Sequence, residues 1–158
     1  MELRGSHTAT GCRFAIVVAS FNADITDGLL RGARQALASA AVKEEHVVVV
    51  RVPGAFEIPL TALELGRSGE FDAVICLGCL IKGDTMHFEY IASSCCTGIG
   101  DAAVATGVPM ALGVITTLTE EQAIERAADG PGNKGREAAD AAIEMATLFK
   151  QLRVQSEE

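Results

Sequence analysis

Residues 13–21 read Arg-Phe-Ala-Ile-Val-Val-Ala-Ser-Phe, a short run of apolar and β-branched residues with Gly11 before it and Asn22 after it. A continuous apolar run of this length leaves no face for water, so it reads as a strand covered on both sides, as in a parallel sheet. The period changes at Asp24. Ile25, Leu29, Leu30, Ala33, Ala36 and Leu37 recur at helical spacing, which predicts a helix to about Ala41.

The same unit then repeats along the chain. His46 to Val52 (HVVVVRV) is a second expected strand, halted by Pro53-Gly54, and Glu57 to Gly66 a helix whose Pro59 is tolerated because it falls in the first turn. Asp72 to Ile81 is strand three, followed by a helix from about His87 to Thr106 that Gly107 and Pro109 stop. Met110 to Thr116 is strand four. Thr119-Glu120-Glu121-Gln122, close to a capping signature, opens a helix to about Ala128, and a last helix runs from about Asn133 to Leu152. Strands alternating with helices call for a three-layer α/β/α sandwich around a four-stranded, mostly parallel sheet. One domain over residues 13–152 is expected, with a flexible segment at 1–12 and a flexible tail at 153–158.

The 158 residues include 49% hydrophobic ones, enough for one substantial core. Lys and Arg total 13 against 21 Asp and Glu, a net charge of −8, whereas nucleic-acid binders present a basic face; no nucleic-acid partner is expected. No apolar run is long enough to span a bilayer and Met1 to Gly11 is polar, so no membrane association and a cytoplasmic location are expected. The five cysteines are odd in number and read as reduced thiols. Cys76 and Cys79 share a C-x-x-C spacing, but on a strand they face opposite ways and no second Cys/His pair completes a metal set. Cys95 and Cys96 read as helical space-fillers.

Ligands of such sheets sit beyond the carboxyl ends of the strands. That rule selects Phe21-Asn22, Pro53 to Glu57, Lys82 to His87 and Thr116-Thr117. Lys82-Gly83-Asp84-Thr85-Met86-His87 joins a strand to a helix, where unpaired N–H groups and a Thr hydroxyl favour an anion such as phosphate; the charge of Asp84 opposes one unless its side chain turns away. His87 is the one histidine at an expected strand exit, and imidazole carries protons near neutrality. Phe21 and Phe56 are two of only six phenylalanines; they either pack in the core or stack a flat heterocycle at a pocket mouth, with Glu57 placed to accept from ligand hydroxyls. Arg126 and Lys134 are either phosphate and carbonyl contacts or solvated charges. Gly98-Ile99-Gly100-Asp101-Ala102-Ala103 matches a dinucleotide fingerprint in letters only, since it lies within an expected helix, and Gly132-Asn133-Lys134-Gly135 lacks the spacing of a P-loop.

Phe21-Asn22, Val52-Pro53-Gly54-Ala55-Phe56-Glu57-Ile58-Pro59, Gly83-Asp84-Thr85-Met86-His87-Phe88-Glu89-Tyr90, Gln122 to Ala127 and Gly132 to Ala139 follow one another in an order that resembles the lumazine synthase family, from about Arg13 to Lys150. The resemblance implies a flavodoxin-like sandwich that condenses 5-amino-6-ribitylaminouracil with 3,4-dihydroxy-2-butanone 4-phosphate, without metal or organic cofactor. It implies that Phe21 stacks on the pyrimidine and that Asn22, Ala55, Phe56 and Glu57 bind the ribityl chain. Gly83, Asp84, Thr85 and Arg126 would hold the phosphate, His87 would shuttle protons with Lys134 assisting, and Leu80, Ile81, Lys82 and Leu112 would complete the substrate site. A homo-oligomer is implied: a pentamer, with decamer or 60-subunit shell as larger forms. The chain departs from the family's habit at Ser20 and Lys82, where Arg is common, and at Leu112, where an aromatic is common. Two other readings share these residues, an archaeal-type riboflavin synthase without a phosphate site and a catalytically weak flavin- or lumazine-binding oligomer.

Overall fold

The computed structural model describes residues 1–158 and consists of four strands and five helices: β1 (Phe14–Ala19), α1 (Ala23–Ser39), β2 (Val47–Val52), α2 (Ile58–Arg67), β3 (Ala73–Ile81), α3 (His87–Thr106), β4 (Met110–Thr117), α4 (Glu120–Ala127) and α5 (Lys134–Glu157). The sheet order is β2-β1-β3-β4 and every neighbouring pair is parallel, so the three-layer sandwich holds and its sheet is parallel throughout.

All six residues of β1 are buried, as a strand with helices on both faces requires. Phe14, Ile16 and Val18 point into a core shared with α1, α4 and α5, whereas Ala15, Val17 and Ala19 point into a second core under α2 and α3. Each large side chain so removed from water stabilises the fold by about 1.5–3 kcal/mol. Along β3 the same alternation sends Cys79 to the first core and Cys76 to the second, so the C-x-x-C spacing brings no two thiols together on one face.

Element boundaries shift where side chains or turns intervene. β1 stops at Ala19 because Asn22 adopts left-handed backbone (φ 59, ψ 47) and turns the chain directly into α1. Asparagine tolerates that conformation better than most residues. A short 3-10 turn, Ala55–Glu57, takes up the start expected for α2. Gln122 N donates to the Thr119 hydroxyl at 3.2 Å, and the Gln122 side chain accepts from Leu118 N at 2.9 Å, one residue earlier than in a capping box.

Residues near the amino terminus are hydrogen-bonded to α5. Ser6 N donates to the Thr147 hydroxyl (2.7 Å), Gln151 donates to the Arg4 carbonyl (2.6 Å), and Ala9 and Cys12 are buried, so the segment 1–12 lies along α5. α5 in turn continues through the expected tail as far as Glu157. No helix is long and apolar enough to cross a membrane.

Candidate active site

The chain leaves β1 toward β2 on one side and later returns to build β3 on the other, so the strand order reverses between β1 and β3. The connections diverge at that switch point and leave a crevice beyond the carboxyl ends. It holds a cavity of about 600 Å³ lined by Phe21, Ala55, Phe56, Glu57, Leu80, Ile81, Gly83, Thr85 and His87, nine of the expected site residues, together with Pro53, Gly54, Phe88 and Ile91. Phe21 is 66% and Phe56 60% exposed, so neither ring packs in the core of this chain.

Three expected members of this group stand outside the lining. Asn22 donates its side-chain amide to the Cys79 carbonyl at 3.1 Å, tying the exit of β1 to β3. Its other amide atom is an acceptor. The Lys82 ammonium lies 3.8 Å from a Glu89 carboxylate oxygen, pairing the end of β3 with the first turn of α3. Asp84 is exposed. The Thr85 hydroxyl accepts from His87 N at 3.4 Å and so occupies one of the donors expected for an anion; the imidazole itself stands exposed at the start of α3.

Leu112, Arg126 and Lys134 line a second cavity, of about 330 Å³, against β4, an outer strand of the sheet. Arg126 donates through a guanidinium nitrogen to the Gln122 carbonyl one turn earlier (3.1 Å), and the Lys134 ammonium pairs with Glu137 at 2.8 Å. Leu112 is 52% exposed on the uncovered side of the strand. The two linings share no residue, so each pocket holds only part of the expected set. A third cavity, of about 360 Å³, opens at the amino end of β4 among Val108, Met110, Met145 and Phe149 and is almost wholly apolar.

Sequence reasoning left out Phe88, Ile91 and Glu137 as lining residues. Signals for two of them were present, since Ile91 is one helical turn after His87 and Glu137 is an opposite charge three residues after Lys134. Three of the buried cysteines offer no ready nucleophile. Burial pushes the Cys79 and Cys95 thiols up to about 11, and holds Cys76 higher still, so all three stay protonated near neutrality.

A parallel α/β sandwich with a crevice at its switch point walled by Phe21, Phe56 and Phe88, a histidine at its mouth and an uncovered edge strand is the class that fold and site define. Residues 11–150 match the family model described as 6,7-dimethyl-8-ribityllumazine synthase. A protein of Desulfatibacillum aliphaticivorans named 6,7-dimethyl-8-ribityllumazine synthase is 46% identical over 151 residues, which cover 96% of this chain and 97% of that protein. The chain belongs to the 6,7-dimethyl-8-ribityllumazine synthase family, transferases of riboflavin biosynthesis. Riboflavin synthase, the alternative enzyme reading, has no support in either match.

Proposed function

We propose that the crevice between β1 and β3 binds the ribitylated pyrimidine, and that the phosphorylated ketone spans from the Gly83–Thr85 turn to Arg126 and Lys134 of a neighbouring subunit. The observation that carries this reading is the division of the site residues between two cavities with no common lining residue. One chain then supplies the aromatic wall and His87, and the next supplies Leu112, Arg126 and Lys134. The uncovered edge of β4, with Leu112 exposed and an apolar groove beside it, supports a second copy at that position. The ring this builds is a pentamer, with a decamer or a 60-subunit shell as its higher assemblies.

Phe21 stacks on the pyrimidine, while Ala55, Phe56 and Glu57 meet the ribityl hydroxyls along the 3-10 turn. Asn22 contributes its amide oxygen, because its nitrogen is held by Cys79. Condensation of the 5-amino group with the ketone forms a C=N bond and expels water, a step that needs a proton at the departing hydroxyl. Loss of phosphate needs a proton removed from the neighbouring carbon, and ring closure by the ribitylamino nitrogen expels a second water. His87, at the mouth of the crevice, delivers and accepts these protons. Arg126, with Lys134 beside it, compensates the phosphate charge from the neighbouring chain. Lys82, paired with Glu89, holds the intervening loop.

Mixing the two substrates with the protein should raise lumazine absorbance and release phosphate in step. Lumazine or flavin binding without turnover would instead assign the chain to the weakly catalytic oligomer. Arg126→Ala should raise KM for the phosphorylated ketone far more than for the pyrimidine, a loss of about 2 kcal/mol for one charge-assisted contact. Equal effects on both substrates would remove Arg126 from the phosphate.

A further inference from the structure

We propose that Asn133 is a positioning residue for this reaction: its buried side-chain amide clasps the end of α4 and the middle of α1 to the start of α5, and so fixes Arg126 and Lys134 relative to one another. The proposal rests on the reading of the α4–α5 pocket as the phosphate half of the site.

Asn133 is one of only three buried polar residues in the chain and is 1% exposed. Its amide nitrogen donates to the carbonyls of Gly28 (3.0 Å), Ala127 (3.0 Å) and Ala128 (3.1 Å), and its amide oxygen accepts from Arg136 N (3.0 Å). An NH₂ group has two hydrogens for these three acceptors, so one is shared, and every polar atom of the side chain is used. The Ala127 and Ala128 carbonyls belong to the last turn of α4, where no intrahelical donor remains. The Arg136 N–H is the matching orphan of the first turn of α5, which makes Asn133 its N-cap. One side chain thus closes both helix ends and joins them to α1.

The two charged residues of the pocket are attached directly to this clasp. Arg126 immediately precedes Ala127, and Lys134 immediately follows Asn133. Between the helices runs Asp129-Gly130-Pro131-Gly132, whose two glycines leave the backbone pliant without an anchor. α1 allows no slack from the other side. A methyl group at Gly32 would collide with the Asn133 side chain, and one at Gly135 with the Leu29 carbonyl of α1. No other side chain meets these demands: Asp would set a charge against three carbonyl oxygens, Ser offers a single hydrogen, and Gln has a methylene for which there is no room.

Misplacement of binding groups by as little as 1 Å can cost about a hundredfold in rate, so a clasp of this kind controls the ketone half of the reaction. The test uses the assembled enzyme with Asn133→Ser, which retains a capping oxygen, and Asn133→Ala, which does not. Both should raise KM for the phosphorylated ketone, and weaken inhibition by inorganic phosphate, by about tenfold. KM for the pyrimidine should hold at the wild-type value in each. Where neither variant folds, Gly32→Ala pushes on the same amide from α1 without touching the pocket, and should give the same split. Folded variants in which melting temperature falls while the ketone KM and phosphate inhibition stay wild-type would reduce Asn133 to a structural cap and overturn the proposal. Arg126→Ala separates the levels: with no substrate split in Arg126→Ala, the phosphate assignment itself fails, whereas a split there without one in the Asn133 variants defeats the clasp alone.

Discussion

His87 stands where β3 has ended and α3 begins, exposed at the mouth of the larger cavity and beside the Thr85 hydroxyl that takes up its backbone N–H. On the proposed reading, an acid–base group at this point helps with proton transfer but does not create the nucleophile, since the pyrimidine brings its own amine. His87→Ala should therefore lower turnover by about a hundredfold or less and leave the fold intact. A mutant whose rate still follows the wild-type profile from about pH 6 to pH 8 would return the histidine to a structural role. The buried thiols make a second claim at this scale. Cys79 and Cys95 ionise at about 11 when folded and near 9.0 when unfolded, and burial is the largest cause for both. The stability they contribute is complete below pH 9 and is lost as pH rises toward and through 11, because the unfolded chain sheds protons that the folded chain retains. Each thiol adds up to about 1.4 kcal/mol per pH unit to that fall. Urea titrations at rising alkaline pH should show a slope that becomes shallower in Cys95→Ala; equal slopes would refute it.

Helix α4 has eight residues and gains little from its own propensity, so its ends matter more than its middle. At the N-terminus Thr119 caps it, with Glu120 and Glu121 set against the positive end of the macrodipole. At the C-terminus the Asn133 amide closes it. Thr119→Ala should lower unfolding stability by about 1 kcal/mol, and Thr119→Asp, which restores a capping oxygen, should recover most of that loss. Denaturant midpoints decide it: an Asp variant no better than the Ala variant would mean that the hydroxyl's contact with Gln122 carries no weight.

For the whole molecule the proposed reading means that no single chain holds a complete site. Impaired subunits should then repair one another. When His87→Ala and Arg126→Ala chains are unfolded together and refolded, random order around a ring makes about a quarter of the boundaries wild-type on both sides. The mixture should turn over faster than the two mutants refolded apart. No gain in rings shown by mass spectrometry to be mixed would put His87 and Arg126 in the same chain's site and defeat the shared architecture.

Which elements form could be read from the chain because the governing signals are local. RFAIVVASF leaves no polar face, so it must be covered on both sides, and the helical spacing from Ile25 to Leu37 shows where the first cover comes from. The carboxyl-end rule located four corners, of which Phe21, Pro53–Glu57 and Lys82–His87 contribute to one cavity while Thr116 lines the other. The separation of His87, at a strand exit, from Arg126 and Lys134, on late helices, is legible in the chain as well. The fully parallel order β2-β1-β3-β4 and the turning of Asn22 onto Cys79 arise only in three dimensions. Each depends on which distant segments meet across the sheet, and residue periodicity carries no information about that. Asn133 is the sharpest case: in sequence it is one polar letter in a glycine-rich loop, and the carbonyls of Gly28, Ala127 and Ala128 that give it a role converge on its amide only when α1, α4 and α5 have packed.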